Sequence, residues 1–299
     1  MKKRFFLSIV LFLLLSLSIK GYLRITDDFR LSGITHEMTI NDEWAIDSLK
    51  EDEKARLKHI FSQKFTYIGK GAQSYAFVSQ DNQYVIKFFK FKHLRPGFLL
   101  NAVPPIGFLN DWKQAKIKEK EEKRNNVFNA YRLAWEVHRE SSGLVFIHLN
   151  KTENLNQILH LQDKIGMNWS VDLDSVTFVL QRRAETSRKV IYEFLANGNV
   201  EEAKNCIRKI FNLYKEEYNK GILDHDHGVM HNTGFIGQEP IHLDVGKLYT
   251  NLLMKEEEHA YLDIVKIGWK IDQAILSNYP KFASEIRQEI EKYIANSYD

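Results

Sequence analysis

Between Phe65 and Phe91 the hydrophobic positions fall in three short runs, Phe65–Gly69, Tyr75–Gln80 and Gln83–Phe91, rich in aromatic and β-branched residues. Such composition predicts strands, and Asp81-Asn82 between the last two runs supplies a hairpin turn. Two later runs, Leu144–Leu149 and Ser175–Arg182, predict further strands that complete a small five-stranded sheet. The polar segment between them has helical potential around Leu155–Ile165. Helices are expected over Asn41–Phe61, Asp111–Ser141, Ser187–Ala196, Val200–Asn219, Glu256–Ser277 and Pro280–Ala295. In Val200–Asn219 the apolar stripe runs through Ala203, Ile207, Ile210, Phe211, Leu213, Tyr214 and Tyr218, and Lys220-Gly221 stops it. Asp111–Ser141 begins with a charge run that reads as a solvated face, then sets Phe128, Tyr131, Trp135 and His138 on one stripe. Pro96, Pro104 and Pro105 exclude one regular helix from Phe91–Asn110, which reads as an inserted flap. Strands first and helices afterwards make an α+β chain.

A chain of 299 residues with 44% hydrophobic residues buries a sizeable core and is globular. The 42 basic residues nearly balance 39 acidic ones, so nothing points to nucleic acid as a partner. A single cysteine, Cys206, excludes an intrachain disulfide. Lys2, Lys3 and Arg4 precede an uncharged run, Phe5–Ile19, with the composition of a signal peptide or N-terminal anchor. Residues 1–23 are therefore expected to be a leader, and the chain to be membrane-anchored or exported, with membrane association among its interactions.

The polar chemistry concentrates in residues 221–248, GILDHDHGVMHNTGFIGQEPIHLDVGKL. Phosphoryl transfer needs a carboxylate to accept a proton from the attacking hydroxyl, and an amide oxygen with a second carboxylate to hold Mg²⁺ against the phosphates. Asp226, Asn232 and Asp244 occur in that order, and Gly246 lets the backbone turn beside the last. Upstream, IGKGAQSYAFV places Gly69 and Gly71 at a turn between strands, and YVIK places Lys87 on the third strand.

Together these pieces resemble the protein kinase-like superfamily, with its glycine-rich loop, strand lysine, catalytic loop and Asp-x-Gly turn. The resemblance implies a two-lobed kinase-like α+β fold with a small antiparallel N-lobe sheet and a truncated, mostly helical C-lobe. After the leader, residues 24–184 would be lead-in and N-lobe, with Ala184–Thr186 as hinge, and residues 185–299 the C-lobe. It implies ATP and Mg²⁺ as cofactors, with Gly69, Gly71 and Ser74 over the phosphates and Lys87 anchoring them. Asp226 would be the proton acceptor, and Asn232 and Asp244 the metal ligands.

The landmarks span roughly Phe65–Leu248 as scattered motifs, and several depart from the pattern. Ser74 replaces the third glycine, Asp224 and His225 fill the loop's His and Arg positions, Asn232 lies six residues beyond Asp226, and Val245 replaces the Phe of Asp-Phe-Gly. GILDHDH and IHLDVG are also similar to the phosphoinositide-kinase branch, in whose register Asp224 is the base; both aspartates stay open. The carboxylate partner of Lys87 is open between Glu122 and Glu136. The 55 residues after Asp244 show no activation segment and no peptide platform, so the acceptor is expected to be a small molecule, sugar or lipid headgroup. A catalytically inactive pseudokinase or docking module is the alternative. A metal-dependent phosphohydrolase using Asp224, His225, Asp226, His227, His231, His242 and Asp244 conflicts with the strand-rich stretch, since its core would be mostly helical.

Overall fold

The aromatic and β-branched runs between Phe65 and Phe91 fold into three antiparallel strands, β1 (Lys64–Lys70), β2 (Ser74–Ser79) and β3 (Tyr84–Phe89). They belong to a computed structural model that describes residues 2–35, 40–46, 49–94, 97, 100 and 102–298. The chain divides into two units, residues 1–120 with 148–180, and residues 121–147 with 181–299.

In the first unit Asn82 takes the left-handed conformation (φ 59°) that its side chain tolerates, and Asp81 Oδ1 accepts from Gln83 N at 3.0 Å to close the hairpin. The expected helix around Leu155–Ile165 is instead a strand. β5 (Ile158–Gln162) buries Leu159 and Leu161, points the residues between them outward, and pairs with β6 (Asn168–Asp172). Pairing partners decided this, since a short polar-apolar run carries no helix of its own. With β4 (Leu144–His148) and β7 (Phe178–Arg182) the sheet has seven strands in the order β4-β7-β3-β2-β1-β5-β6. It is mixed, because β1 and β5 run parallel. The expectation of five antiparallel strands is corrected on both counts.

Rings fill the core of this unit. Phe29, Phe77, Phe88 and Phe178 are each at most 1% exposed. They stand edge-on or tilted in series, with centroids 5.0, 5.9 and 6.0 Å apart. Short helices α2 (Leu31–Ile34), α3 (Glu51–Phe61) and α4 (Phe91–Leu94) bury Ile34, Leu57, Ile60, Phe61 and Leu94. The helix predicted over Asn41–Phe61 is thus confined to its second half, after a 3-10 turn at Asp42–Trp44. The flap read over Phe91–Asn110 falls partly outside the described residues.

The N-terminal residues form α1 (Lys2–Ile25). No helix among the described residues is long and apolar enough to cross a membrane. The expectation of a membrane-anchored or exported chain rests on a hydrophobic anchor and is corrected here. Lys20 and Arg24 lie within α1 and confine its uncharged run to Phe5–Ile19, against about twenty residues for a span.

The boundary between units falls within α5 (Gly107–Val137). In the second unit α6 (Ser187–Ala196) is capped by Thr186, whose Oγ1 accepts from Lys189 N at 3.3 Å. Helix α7 (Val200–Lys220) ends at Gly221, which adopts the left-handed conformation. Ile207, Ile210 and Phe211 of α7 share one apolar cluster with Ile264, Ile267 and Ile271 of α9 (Glu257–Asn278) and Ile286 and Ile290 of α10 (Pro280–Tyr298). Between α7 and α9 the chain makes β9 (Ile222–Asp224), α8 (Val229–Asn232), β10 (Thr233–Ile236), β11 (Glu239–His242) and β12 (Leu248–Thr250). Strand β8 (Glu185–Thr186), where a hinge was expected, pairs with β10.

Candidate functional site

On the first unit the β1–β2 turn is closed by backbone bonds, Gly71 N to Ser74 O at 3.0 Å and Lys90 N to Gln73 O at 2.8 Å. The Lys90 ammonium donates to the Gly71 carbonyl oxygen and stands 4.6 Å from the centre of the Tyr75 ring. Burial, with the like charges of Lys70 and Lys92, pushes its pKa down to about 8. Neither Gly69 nor Gly71 has a positive φ. A methyl group built on Gly69 meets nothing within 4 Å, and one on Gly71 meets only Ser74 Oγ at 3.8 Å. These glycines are therefore not required by the turn or its packing; what they leave is open space beside it. Ser74 opens β2, and Lys87 sits half-buried on β3 opposite Ala76. Gly71→Ala is expected to hold or raise stability, by about 0.4–1 kcal/mol; a thermal midpoint below the parent's would show that the turn needs the glycine.

In the second unit β9 pairs with β12, setting Asp224 opposite Leu248. The chain then turns through His227, held at φ 45° in the left-handed region that histidine enters more readily than most side chains. Its Nε2 lies 2.6 Å from Asp263 Oδ1 on α9, and Tyr218 donates to Asp263 Oδ2 at 2.9 Å, so α9 anchors the loop. That Asp263 contact holds the His227 imidazole above its usual pKa. Gly228 is required by close approach, since a methyl group there would lie 2.9–3.0 Å from the Asn232 side-chain amide.

Asn232 ties the two halves of the loop together. Its carbonyl oxygen accepts from Leu243 N at 2.6 Å and Asp244 N at 3.2 Å, and its Nδ2 donates to Asp224 Oδ2 at 3.4 Å. The Asp244 carboxylate is exposed and accepts from Gly246 N at 3.2 Å, while Val245 is fully buried in place of the expected phenylalanine. Asp226 is also exposed, with Lys247 Nζ 2.8 Å from its Oδ2. The bond to Asp226, and then the fields of Asp226, Asp224 and Asp244, hold the Lys247 ammonium above its usual pKa.

Asp224 differs from both. Its side chain is fully buried. Its Oδ1 accepts from Asp226 N at 2.9 Å, and its Oδ2 lies 3.3 Å from His242 Nε2 as well as beside Asn232. Burial favours the protonated acid, yet His242 and these donors keep the carboxyl below the usual range and therefore ionised. Gly69, Gly71, Ser74 and Lys87 belong to the first unit; Asp224, Asp226, Asn232 and Asp244 are brought together in the second. The two carboxylates considered for Lys87, Glu122 and Glu136, both belong to the second unit, and Glu136 Oε1 accepts from Arg132 Nε at 2.8 Å.

Sequence reasoning missed Lys90, Lys247, Glu217 and the role of His242. The signal for Glu217 was present: it follows Tyr214 by three positions on the apolar stripe of α7, where a carboxylate must find partners.

The element order is kinase-like: a glycine turn between the first two strands, a lysine on the third, a long helix entering an Asp/Asn loop, then Asp-x-Gly. No family model matches the sequence, and no curated protein matches it. Among solved structures, WbdD with a kinase inhibitor is similar at TM-score 0.36 and 12% identity over 75% of this chain and 44% of that one. Another WbdD structure gives TM-score 0.37 and 12% identity over 76% and 45% of the two chains. The ROP18 kinase domain with AMP-PNP and sucrose gives TM-score 0.36 and 14% identity over 66% and 61%. The chain thus spans less than half the length of these WbdD chains. At such TM-scores the functional reading rests on the residues of this chain.

Proposed function

We propose that this protein is a kinase-like phosphotransferase that moves the terminal phosphoryl group of ATP, with Mg²⁺, to a hydroxyl of a non-peptide acceptor such as a small molecule, sugar or lipid headgroup. The observation that carries the reading is two solvent-facing carboxylates, Asp226 and Asp244, in one loop system cross-tied by Asn232, with Lys247 in the field of both. Asp226 takes the proton of the acceptor hydroxyl, and Lys247 beside it offers positive charge to a phosphate. The Asn232 amide oxygen and the Asp244 carboxylate are hard oxygen donors suited to Mg²⁺, which when bound neutralises phosphate charge. On the first unit Gly69, Gly71 and Ser74 take the phosphate-covering role and Lys87 the phosphate-anchoring one. Asp224, with no exposed carboxylate oxygen, positions the loop.

A catalytically silent kinase-like domain is the second reading, favoured by the Lys247–Asp226 ion pair, which occupies the proton acceptor. Thermal unfolding of the full chain with and without ATP and Mg²⁺, followed by an assay of ATP turnover, separates the two. Stabilisation that disappears in Lys87→Ala, with turnover, is the expected result. Stabilisation without turnover favours the silent domain, and no stabilisation by any nucleotide would remove the phosphotransferase reading.

A further inference from the structure

Beneath the loop lies a line of buried polar groups that the proposed chemistry does not use. His138 follows α5, Glu217 is on α7 and His242 ends β11; all three side chains are fully buried. His242 Nδ1 lies 2.7 Å from Glu217 Oε1, and its Nε2 lies 3.3 Å from Asp224 Oδ2. Both ring nitrogens therefore face carboxylate oxygens, Nδ1 at hydrogen-bond distance and Nε2 within ion-pair range but, like His138 Nε2, without hydrogen-bond geometry. His138 brings Nε2 to 2.9 Å from the same Glu217 oxygen, off the line of a good hydrogen bond, while its Nδ1 faces Lys220 Nζ at 3.3 Å and accepts. Glu217 Oε2 is buried and has no hydrogen-bond partner among the described residues.

Two chemistries fit two histidines and a glutamate whose donor atoms lie within 4.8 Å of one another: a bound transition metal or a direct relay. The distances decide between them. Ligands about 2.0–2.1 Å from a tetrahedral zinc stand more than 3 Å apart, whereas the 2.7 and 2.9 Å separations here are those of direct nitrogen–oxygen contact. Lys220 argues the same way, because a histidine that ligates through Nε2 gives its Nδ1 proton to an acceptor, not to an ammonium.

We propose that Glu217 and His242, braced by His138 and Lys220, are positioning residues that fix the Asp224 carboxylate and through it the loop carrying Asp226 and Asn232. The inference deepens the phosphotransfer reading and rests on it for its kinetic consequence. Its structural consequence stands alone: Asp224 Oδ1 holds the Asp226 amide, so loosening Asp224 loosens the loop.

The test compares the full chain with Glu217→Gln, which preserves shape and removes charge, and with His242→Gln. Imidazole N–H protons bonded to buried carboxylates give far-downfield proton resonances, and both variants are expected to remove or shift them. Amide exchange in residues 224–232 is expected to rise at least tenfold while that of α9 stays unchanged. With MgATP as probe, the rate of ATP hydrolysis is expected to fall about 10–100-fold, with KM within about twofold. Unchanged exchange and resonances in both variants would overturn the relay, as would one equivalent of zinc in the purified chain. A wild-type chain that never responds to MgATP, yet whose loop loosens in the variants, would uphold the relay and remove the phosphotransferase reading instead.

Discussion

Asp244→Ala is expected to leave the fold intact and to abolish the stabilisation by ATP with Mg²⁺ that the proposed function calls for in the parent chain. At a ligand concentration of about one hundred times Kd that stabilisation amounts to about 2.7 kcal/mol, or roughly 4 °C for a chain of this size. The turn around Asp244 is held by other groups: the Asn232 carbonyl oxygen takes both Leu243 N and Asp244 N, and Val245 is fully buried. An exposed carboxylate that, among the described residues, bonds only to Gly246 N gives the fold little, within about 0.5 kcal/mol for an ordinary surface change. Asp224→Ala is expected to behave in the opposite way. Removing one partner of a buried charged set leaves His242 without its second carboxylate, a loss of about 3–5 kcal/mol. Thermal unfolding of the two variants, each with and without MgATP, reads both effects. An Asp244→Ala chain that still gains the parent's full shift would remove Asp244 from the metal site.

The second large effect is on the first unit. Phe77→Ala is expected to cost about 3–5 kcal/mol, the range for a fully buried phenylalanine. Phe77 is at the centre of β2, opposite Tyr67 on β1 and Ile86 on β3, and its ring lies 5.0 Å from Phe29, 5.4 Å from Tyr67 and 5.9 Å from Phe88. Paired on both sides, the sheet cannot collapse into the space the ring leaves, so the cavity term persists. A denaturant midpoint measured by far-UV circular dichroism checks it. A loss below about 1 kcal/mol would mean that the ring series tolerates a gap and is not the core of the unit.

Strands β1 to β3 were legible because their aromatic and β-branched runs are short and bounded by turn residues, and helices α6, α7, α9 and α10 because each carries an apolar stripe closed by a cap or a break. β5 was not: a run of five residues is helix or strand according to its partner, and its partners are β1, some ninety positions earlier, and β6. The site shows the same division. The order Asp226, Asn232, Asp244 marked a phosphotransfer-type loop, but residue type could not separate Asp224 from Asp226. Lys247 and Lys90 sat in the sequence as ordinary lysines, distinguished only by the carboxylate and carbonyl they meet.

The sequence by itself determined the α+β class, the places of most elements and the residue types gathered in the loop, because periodicity, caps and turn residues act over a few neighbours. Only the tertiary structure decided which aspartate is buried and which faces water, that the sheet is mixed and seven-stranded, and that Glu217 and His242 meet beneath Asp224. The reason is physical. Burial, ionisation and hydrogen-bond partnership depend on groups brought together from distant parts of the chain, and no local pattern carries them.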